Sequence, residues 1–195
     1  MQSVFQGRRH LTYVDAAGAL QDLRFDGGWR SQRLNLGGLT LAPAAAGTPA
    51  GVAVGGNRHV VYRDCQGKLQ DLRYDGSWHR QGLTGDEGAG TPQAVGNPSV
   101  VALGGQTPHV VYRDAAGTLH DLWYDGAWHA QQVNNGGVTA APPAASDPST
   151  LAPPSHWLFV AYSDIHGNAQ LLSRAPDGKW QAAPLNGETF PLPNR

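Results

Sequence analysis

The sequence predicts an all-β protein: a β-propeller of four four-stranded blades built from repeats of ~50 residues. Three observations predict it. One segment is written four times, anchored on Tyr13, Tyr62, Tyr112 and Tyr162, at spacings of 49, 50 and 50 residues. Each copy reads as short β-branched or aromatic runs separated by turn residues. No segment carries a 3.6-residue apolar period of helical length.

The elements follow in order within each copy. An apolar run closed by Gly-Gly, as in GVAVGG and VVALGG, supplies the first strand. HVVYRD, from His59 and again from His109, is the second. Asp15, Asp64, Asp114 and Asp164 follow the Tyr by two residues, and Gly18, Gly67, Gly117 and Gly167 come three later. An Asp there caps its own turn, and Gly takes the positive φ that the turn requires. LHDLWYD is the third strand, its DG a hairpin signal, and the run beginning at Trp29, Trp78, Trp128 or Trp180 is the fourth. Pro-rich stretches such as TLAPAAAGTP join the units. The blades are expected at about 2–35, 41–84, 91–134 and 140–186 of a single domain spanning 1–195. The tail, 187–195, resembles a connector and is expected to lead back to blade one and close a ring. An open arc that completes itself by pairing with another copy is the rival, so a homo-oligomer is admitted.

Composition excludes several functions. With 14 basic and 15 acidic residues the net charge is −1, no electrostatic footprint for nucleic acid. No run approaches the ~18 apolar residues of a membrane span. The opening MQSVFQGRRH lacks a signal-peptide core, which leaves a cytoplasmic chain or one released by another route. The single Cys65 cannot pair within the chain and has no evident base beside it. None of the eight histidines forms a recognised metal-ligand spacing, so no metal or cofactor is expected. His10, His59 and His109 recur once per unit at the start of a strand, where histidines are usually wet and unligated. No nucleophile elbow or phosphate loop is present.

A second acidic series stands mid-strand, where Asp is disfavoured: Asp22, Asp71 and Asp121, with Leu171 in the worn fourth copy. Two residues on, on the same strand face, are Arg24, Arg73 and Trp123. The expected arrangement is an Asp beside an Arg, near a repeated Trp. That combines acceptor, donor and apolar plate, which suits a sugar's hydroxyl edge and C–H face. The same Asp and Arg would otherwise tie blades together, and the Trp would pack between them. The fourth unit, without the Asp, is expected to have no site of this type.

The motif V-x-Y…G-x-L-x-D-L-W-Y-D-G-x-W resembles the repeats of the fucose-binding β-propeller lectins of fungi and bacteria, over most of each unit. The resemblance implies a six-bladed lectin family's fold and a sugar held by an Arg two before the Tyr, a Glu on the next strand and the hairpin Trp. The Glu position is Asp22, Asp71 and Asp121 here, and the Trp position is Trp29, Trp78, Trp128 and Trp180. The Arg position departs from the family, holding Leu11, Val60, Val110 and Val160.

The expected function is therefore multivalent carbohydrate binding without catalysis, at pockets between adjacent blades. Glycans or glycoconjugates would be the partners. Asp22, Asp71 and Asp121 would accept sugar hydroxyls, Arg24 and Arg73 would orient them or donate, and Trp29, Trp78, Trp123, Trp128 and Trp180 would supply the plates. The alternatives are a protein-interaction scaffold, with Trp123 and Trp157 as candidates, and a propeller enzyme.

Overall fold

The computed structural model describes residues 2–185. It contains four antiparallel four-stranded sheets, one per repeat. Blade one is β1 (Gln2–Phe5), β2 (Arg8–Val14), β3 (Leu20–Phe25) and β4 (Trp29–Arg33). Blade two is β5 (Ala50–Val54), β6 (Asn57–Arg63), β7 (Leu69–Tyr74) and β8 (Trp78–Gly82). Blade three is β9 (Ser99–Leu103), β10 (Thr107–Arg113), β11 (Leu119–Tyr124) and β12 (Trp128–Gln132), and blade four is β13 (Ser149–Leu151), β14 (Leu158–Ser163), β15 (Ala169–Arg174) and β16 (Trp180–Pro184). The chain is thus a β-propeller in class, with one 3-10 turn at Gly85–Glu87 as the sole helical element among the described residues. Each blade runs from the axis outward, and the inner strands stand side by side in the order β1, β5, β9, β13.

Local chemistry builds each blade. The turn aspartates act as capping groups: Asp64 Oδ1 accepts the amides of Gln66 and Lys68, both at 2.9 Å. Gly67, at φ +82°, closes that turn. In the hairpins Tyr74 lies opposite Trp78 and Tyr124 opposite Trp128, with ring centroids 5.4 and 5.6 Å apart. After the fourth strand a polar side chain clamps the connector. Asn134 Oδ1 accepts from the Leu119 amide at 2.7 Å, and its Nδ2 donates to the carbonyls of Pro142 and Gly117. Asn35 does the same in blade one.

Three seams hold the blades together. Each buries the outer positions of one blade against the next: Leu20, Leu34 and Ala45 against Val60, Tyr62 and Leu72 at the first. Leu69, Leu83 and Ala94 meet Val110, Tyr112 and Leu122 at the second, and Leu119, Val133 and Ala144 meet Val160, Tyr162 and Leu172 at the third. Trp78, Trp128 and Trp180 pack against these clusters. The buried tyrosines each donate to a connector carbonyl of the preceding blade: Tyr62 to Pro43, Tyr112 to Pro92 and Tyr162 to Pro142, at 2.8–2.9 Å. Burial pushes the Tyr62 and Tyr112 phenols far above their ordinary value, so they stay protonated donors. Near the axis the Thr48 amide donates to Asn97 Oδ1 at 2.6 Å, and Asn97 in turn donates to Asp147.

The ring of four that the repeat count implies is not formed by the described residues. Tyr13 is 42% exposed where Tyr62 is 1%, and Leu185 is 41% exposed where Leu34 and Leu83 are 0%. Trp29 is 58% exposed, although its three counterparts sit in seams. No packing like that of β1 on β5 joins β13 to β1. Blades one and four are therefore half-seams without a second half. Each half-seam lacks the apolar partner that a neighbouring blade supplies at the three internal seams. The tail proposed to close the ring, 187–195, lies outside the described residues.

Candidate functional site

The first seam carries a cavity lined by residues of both blades. The β2 pleat places His10 and Thr12 on one face, and the antiparallel register sets Thr12 opposite Asp22 on β3. Asp22 is 0% exposed. Four protein groups take up its carboxylate. His10 Nδ1 lies 3.1 Å from Oδ2, Thr12 Oγ1 donates at 3.1 Å to Oδ1, and Gln32 Nε2 donates at 3.0 Å to Oδ2. The fourth crosses the seam: Arg58 on β6 forks onto both oxygens at 2.9 and 2.7 Å, and its Nη2 reaches Thr12 Oγ1 at 2.7 Å. This is a bidentate guanidinium–carboxylate pair buried in the seam. The Arg58 guanidinium also lies over the Trp78 ring, 5.7 Å from its centroid.

Charge follows from that geometry. Burial alone would raise the Asp22 carboxyl, but the hydrogen bonds and charge of Arg58, with His10, outweigh it and hold it below the usual carboxylate value. His10 is held below its usual value, first by burial and then by the Arg58 charge, against the upward pull of Asp22. A neutral His10 therefore donates Nδ1–H to an ionised Asp22.

The same Asp–His couple recurs with different surroundings. At the second blade His59 Nδ1 meets Asp71 at 2.8 Å, and at the third His109 Nδ1 meets Asp121 at 2.9 Å, with Gln131 donating at 3.2 Å. The expectation that these histidines are wet is corrected: His10, His59 and His109 are all buried. Each imidazole, on the third residue of its strand and not at its start, meets the carboxylate that needs a partner there. The couple is one unit, since the fourth copy lacks both members, Phe159 and Leu171 standing in their places. Arg58, by contrast, belongs to one seam. Its counterparts are Pro108 and Leu158 at the next two, and Arg9, exposed, on the open face of blade one.

The expected Asp–Arg pairs along one strand are also corrected. Arg24 ion-pairs with Asp26 at 3.2 Å and Arg73 with Asp75 at 2.9 Å, in each case the hairpin carboxylate. Asp22 and Asp71 lie deeper and are served by histidine, while Arg24 and Arg73 lean toward the exposed turn. Trp123, which replaces this Arg in blade three, stacks between His109 and His129 at 6.3 and 5.3 Å.

The cavity itself, about 430 Å³, lies over the Asp22 network and is lined by Phe5, Arg8, His10, Arg24, Gln32, Arg58, Tyr74, Ser77 and Trp78, among others. That volume lies within the usual small-molecule range of roughly 300–1,000 Å³. Of the residues singled out from sequence, Arg24 and Trp78 line it directly, with Asp22 beneath. Asp71, Asp121, Trp128 and Trp180 occupy the second and third blades and seams, and Trp29 stands on the open face of blade one. Sequence reasoning missed Arg8, His10, Gln32 and Arg58. The histidines carried a usable signal, because His and mid-strand Asp recur together and vanish together. Among the described residues, no three potential metal ligands stand together, and no helix is long and apolar enough to cross a membrane.

No protein-family model and no curated protein matches the chain. Solved structures do. The SapL1 lectin, in complex with α-methyl fucoside, aligns at a TM-score of 0.67 with 14% identity, over 93% of this chain and 60% of that one. The fucose-specific lectin from Aleuria aurantia aligns at 0.65 with 12% identity, over 95% of this chain and 59% of that one. The BP39L lectin from Burkholderia pseudomallei aligns at 0.63 with 16% identity, over 90% of this chain and 51% of that one. At these identities the likeness is one of fold. The chain spans about three fifths or less of the length of the lectins it matches.

Proposed function

We propose that the chain is a multivalent carbohydrate-binding propeller without catalysis, with its sites at the blade seams. The observation that carries the reading is the cavity at the first seam. There an aromatic wall, Trp78 with Tyr74, faces the guanidinium of Arg24 and the amide of Gln32 across a space of monosaccharide size. Aromatic faces accept a sugar's C–H groups, and the polar side chains meet its hydroxyls. The folds of the SapL1 and Aleuria aurantia lectins, which bind fucosides, support the same reading. In this proposal Asp22, Asp71 and Asp121 work from behind, fixing the imidazoles and, at the first seam, Arg58. At the third seam Trp123 is the plate. The glycan, rather than nucleic acid, is the partner.

A glycan array probed with the labelled chain tests this. Retention on a restricted set of glycans, reduced at least tenfold by Arg24→Ala, is expected. Absence of any glycan-dependent retention would refute the assignment.

The open ends fit a second copy of this chain. Leu185 of one copy and Tyr13 with Trp29 of another repeat the residue types that meet at the three internal seams. Such head-to-tail contact would set another seam between copies. Light scattering should report a mass above one chain, falling to the monomer in Leu185→Asp. A monomeric parent chain would rule the contact out.

A further inference from the structure

We propose that the first-seam pocket selects a sugar bearing an oxyanion, a carboxylate or a sulfate ester. This rests on the carbohydrate reading of the same cavity and adds the chemical class of its ligand.

The lining contains three arginines, Arg8, Arg24 and Arg58, with His10, and no Asp or Glu. Three carboxylates lie close by and all are already committed. Asp75, between the lining residues Tyr74 and Gly76, pairs with Arg73 and His79. Asp22 is buried beneath the floor and pairs with Arg58. Asp26 is shared between Arg24 and Arg30, each at 3.2 Å. Five guanidinium groups, Arg8, Arg24, Arg30, Arg58 and Arg73, therefore meet three carboxylates around one cavity. Arg8 makes no ion pair among the described residues and is exposed on the lining, free to turn toward a ligand. Arg24 Nε is buried without a hydrogen-bond partner. A planar, forked guanidinium matches the oxygens of a carboxylate or sulfate, which accept two parallel hydrogen bonds. The field extends beyond the arginines themselves, since the charges of Arg58 and Arg24 both act to lower His10.

The three arginines stand together at one seam, although Arg73 keeps the Arg24 position in blade two. The Arg8 position is Asn57 in blade two and Thr107 in blade three, and the Arg24 position is Trp123 in blade three. The Arg58 position is Pro108 at the second seam and Leu158 at the third. The molecule as a whole has a net charge of −1, so the excess is local and does not arise from a basic protein. One propeller thus offers three arginines and a histidine at its first seam and a different set at its third, where Trp123 and His109 stand across from Arg174 at the Tyr74 position.

The experiment compares three methyl glycosides by titration calorimetry: a glucuronide, a galactoside 6-sulfate and the uncharged galactoside. Each is measured with the parent chain and with Arg8→Ala, at low and physiological salt. The charged sugars are expected to bind about tenfold more tightly than the uncharged one at low salt. The preference should shrink as salt shortens the screening length to about 8 Å. Preference for only one of the two charged sugars would identify which oxyanion the pocket takes and would support the proposal. Arg8→Ala should bring the charged-to-uncharged ratio to about one, and Arg8→Lys should restore part of it. Equal affinities for all three sugars in the parent chain would overturn this proposal while leaving the lectin reading intact. Failure of every sugar, here and on the array, would overturn both. Inorganic sulfate matching the sulfated sugar in affinity would reduce the pocket to an anion site and also overturn the proposal.

Discussion

Arg58→Met is expected to lower the stability of the protein by about 3–5 kcal/mol, the scale for breaking a buried ion pair from one side. Arg58 is 1% exposed and Asp22 0%. The substitution keeps an apolar stem, removes the guanidinium that lies over Trp78, and leaves the carboxylate in the seam without its fork. Against a total of roughly 5–15 kcal/mol for a domain, this is a large share. Urea denaturation at pH 7 measures it. The double variant Asp22→Leu with Arg58→Met should recover part of the loss, because both charges go while His10, Thr12 and Gln32 lose their acceptor. A loss below about 1 kcal/mol in the single variant would show that the seam does not depend on this pair.

The pH dependence has a defined sign. The folded Asp22 carboxyl lies below its ordinary value of 3.8. Its contribution is therefore present above that value and is lost as pH falls below it toward the folded pKa. His10 is lowered from 6.5, so the unfolded chain binds its proton more readily. That term erodes stability as pH falls through 6.5 and below. Both terms make the acid side the weak side. Arg58→Met removes the largest force holding the Asp22 carboxyl down, so the acid-unfolding midpoint should move to higher pH. A midpoint unchanged from the parent chain would contradict the assigned coupling.

The second large effect concerns a glycan-coated surface. A single shallow seam site is expected at about millimolar affinity, roughly −4 kcal/mol. Several sites on one rigid body raise the retention on a multivalent surface by ~10²–10⁴. Arg24→Ala at the first seam combined with Trp123→Ala at the third should abolish most of that gain. Neither side chain is in the buried core, so the fold should survive, which far-UV circular dichroism can verify. Surface plasmon resonance on immobilised glycans, set against titration with free sugar, separates avidity from intrinsic affinity. Equal affinities for surface and free sugar in the parent chain would show that one site acts alone.

The seam chemistry also explains why the repeats could diverge. The Asp–His couple is closed within one blade, and copies one to three keep it whatever stands across the seam. Arg58 is different: it adds a charge that only its neighbour's carboxylate can satisfy. Where Pro108 and Leu158 take its place, Asp71 and Asp121 still hold their histidines. A pocket's character is thus set by the outward residues of two blades, while the couple beneath it stays constant.

The sequence by itself determined the repeat, the sixteen strands and the aspartate-capped turns. All of these are signals confined to a few neighbouring residues, repeated often enough to be recognised. Only the tertiary structure decided that His10, His59 and His109 are buried, that Arg24 and Arg73 turn to hairpin carboxylates, and that Arg58 reaches Asp22. That last pair is separated by 36 residues and lies on different sheets. Its formation depends on the angle at which two blades meet, which no local run of residues encodes. Tyr13, Trp29 and Leu185 face outward although their text matches that of buried counterparts, because among the described residues no second blade packs on them.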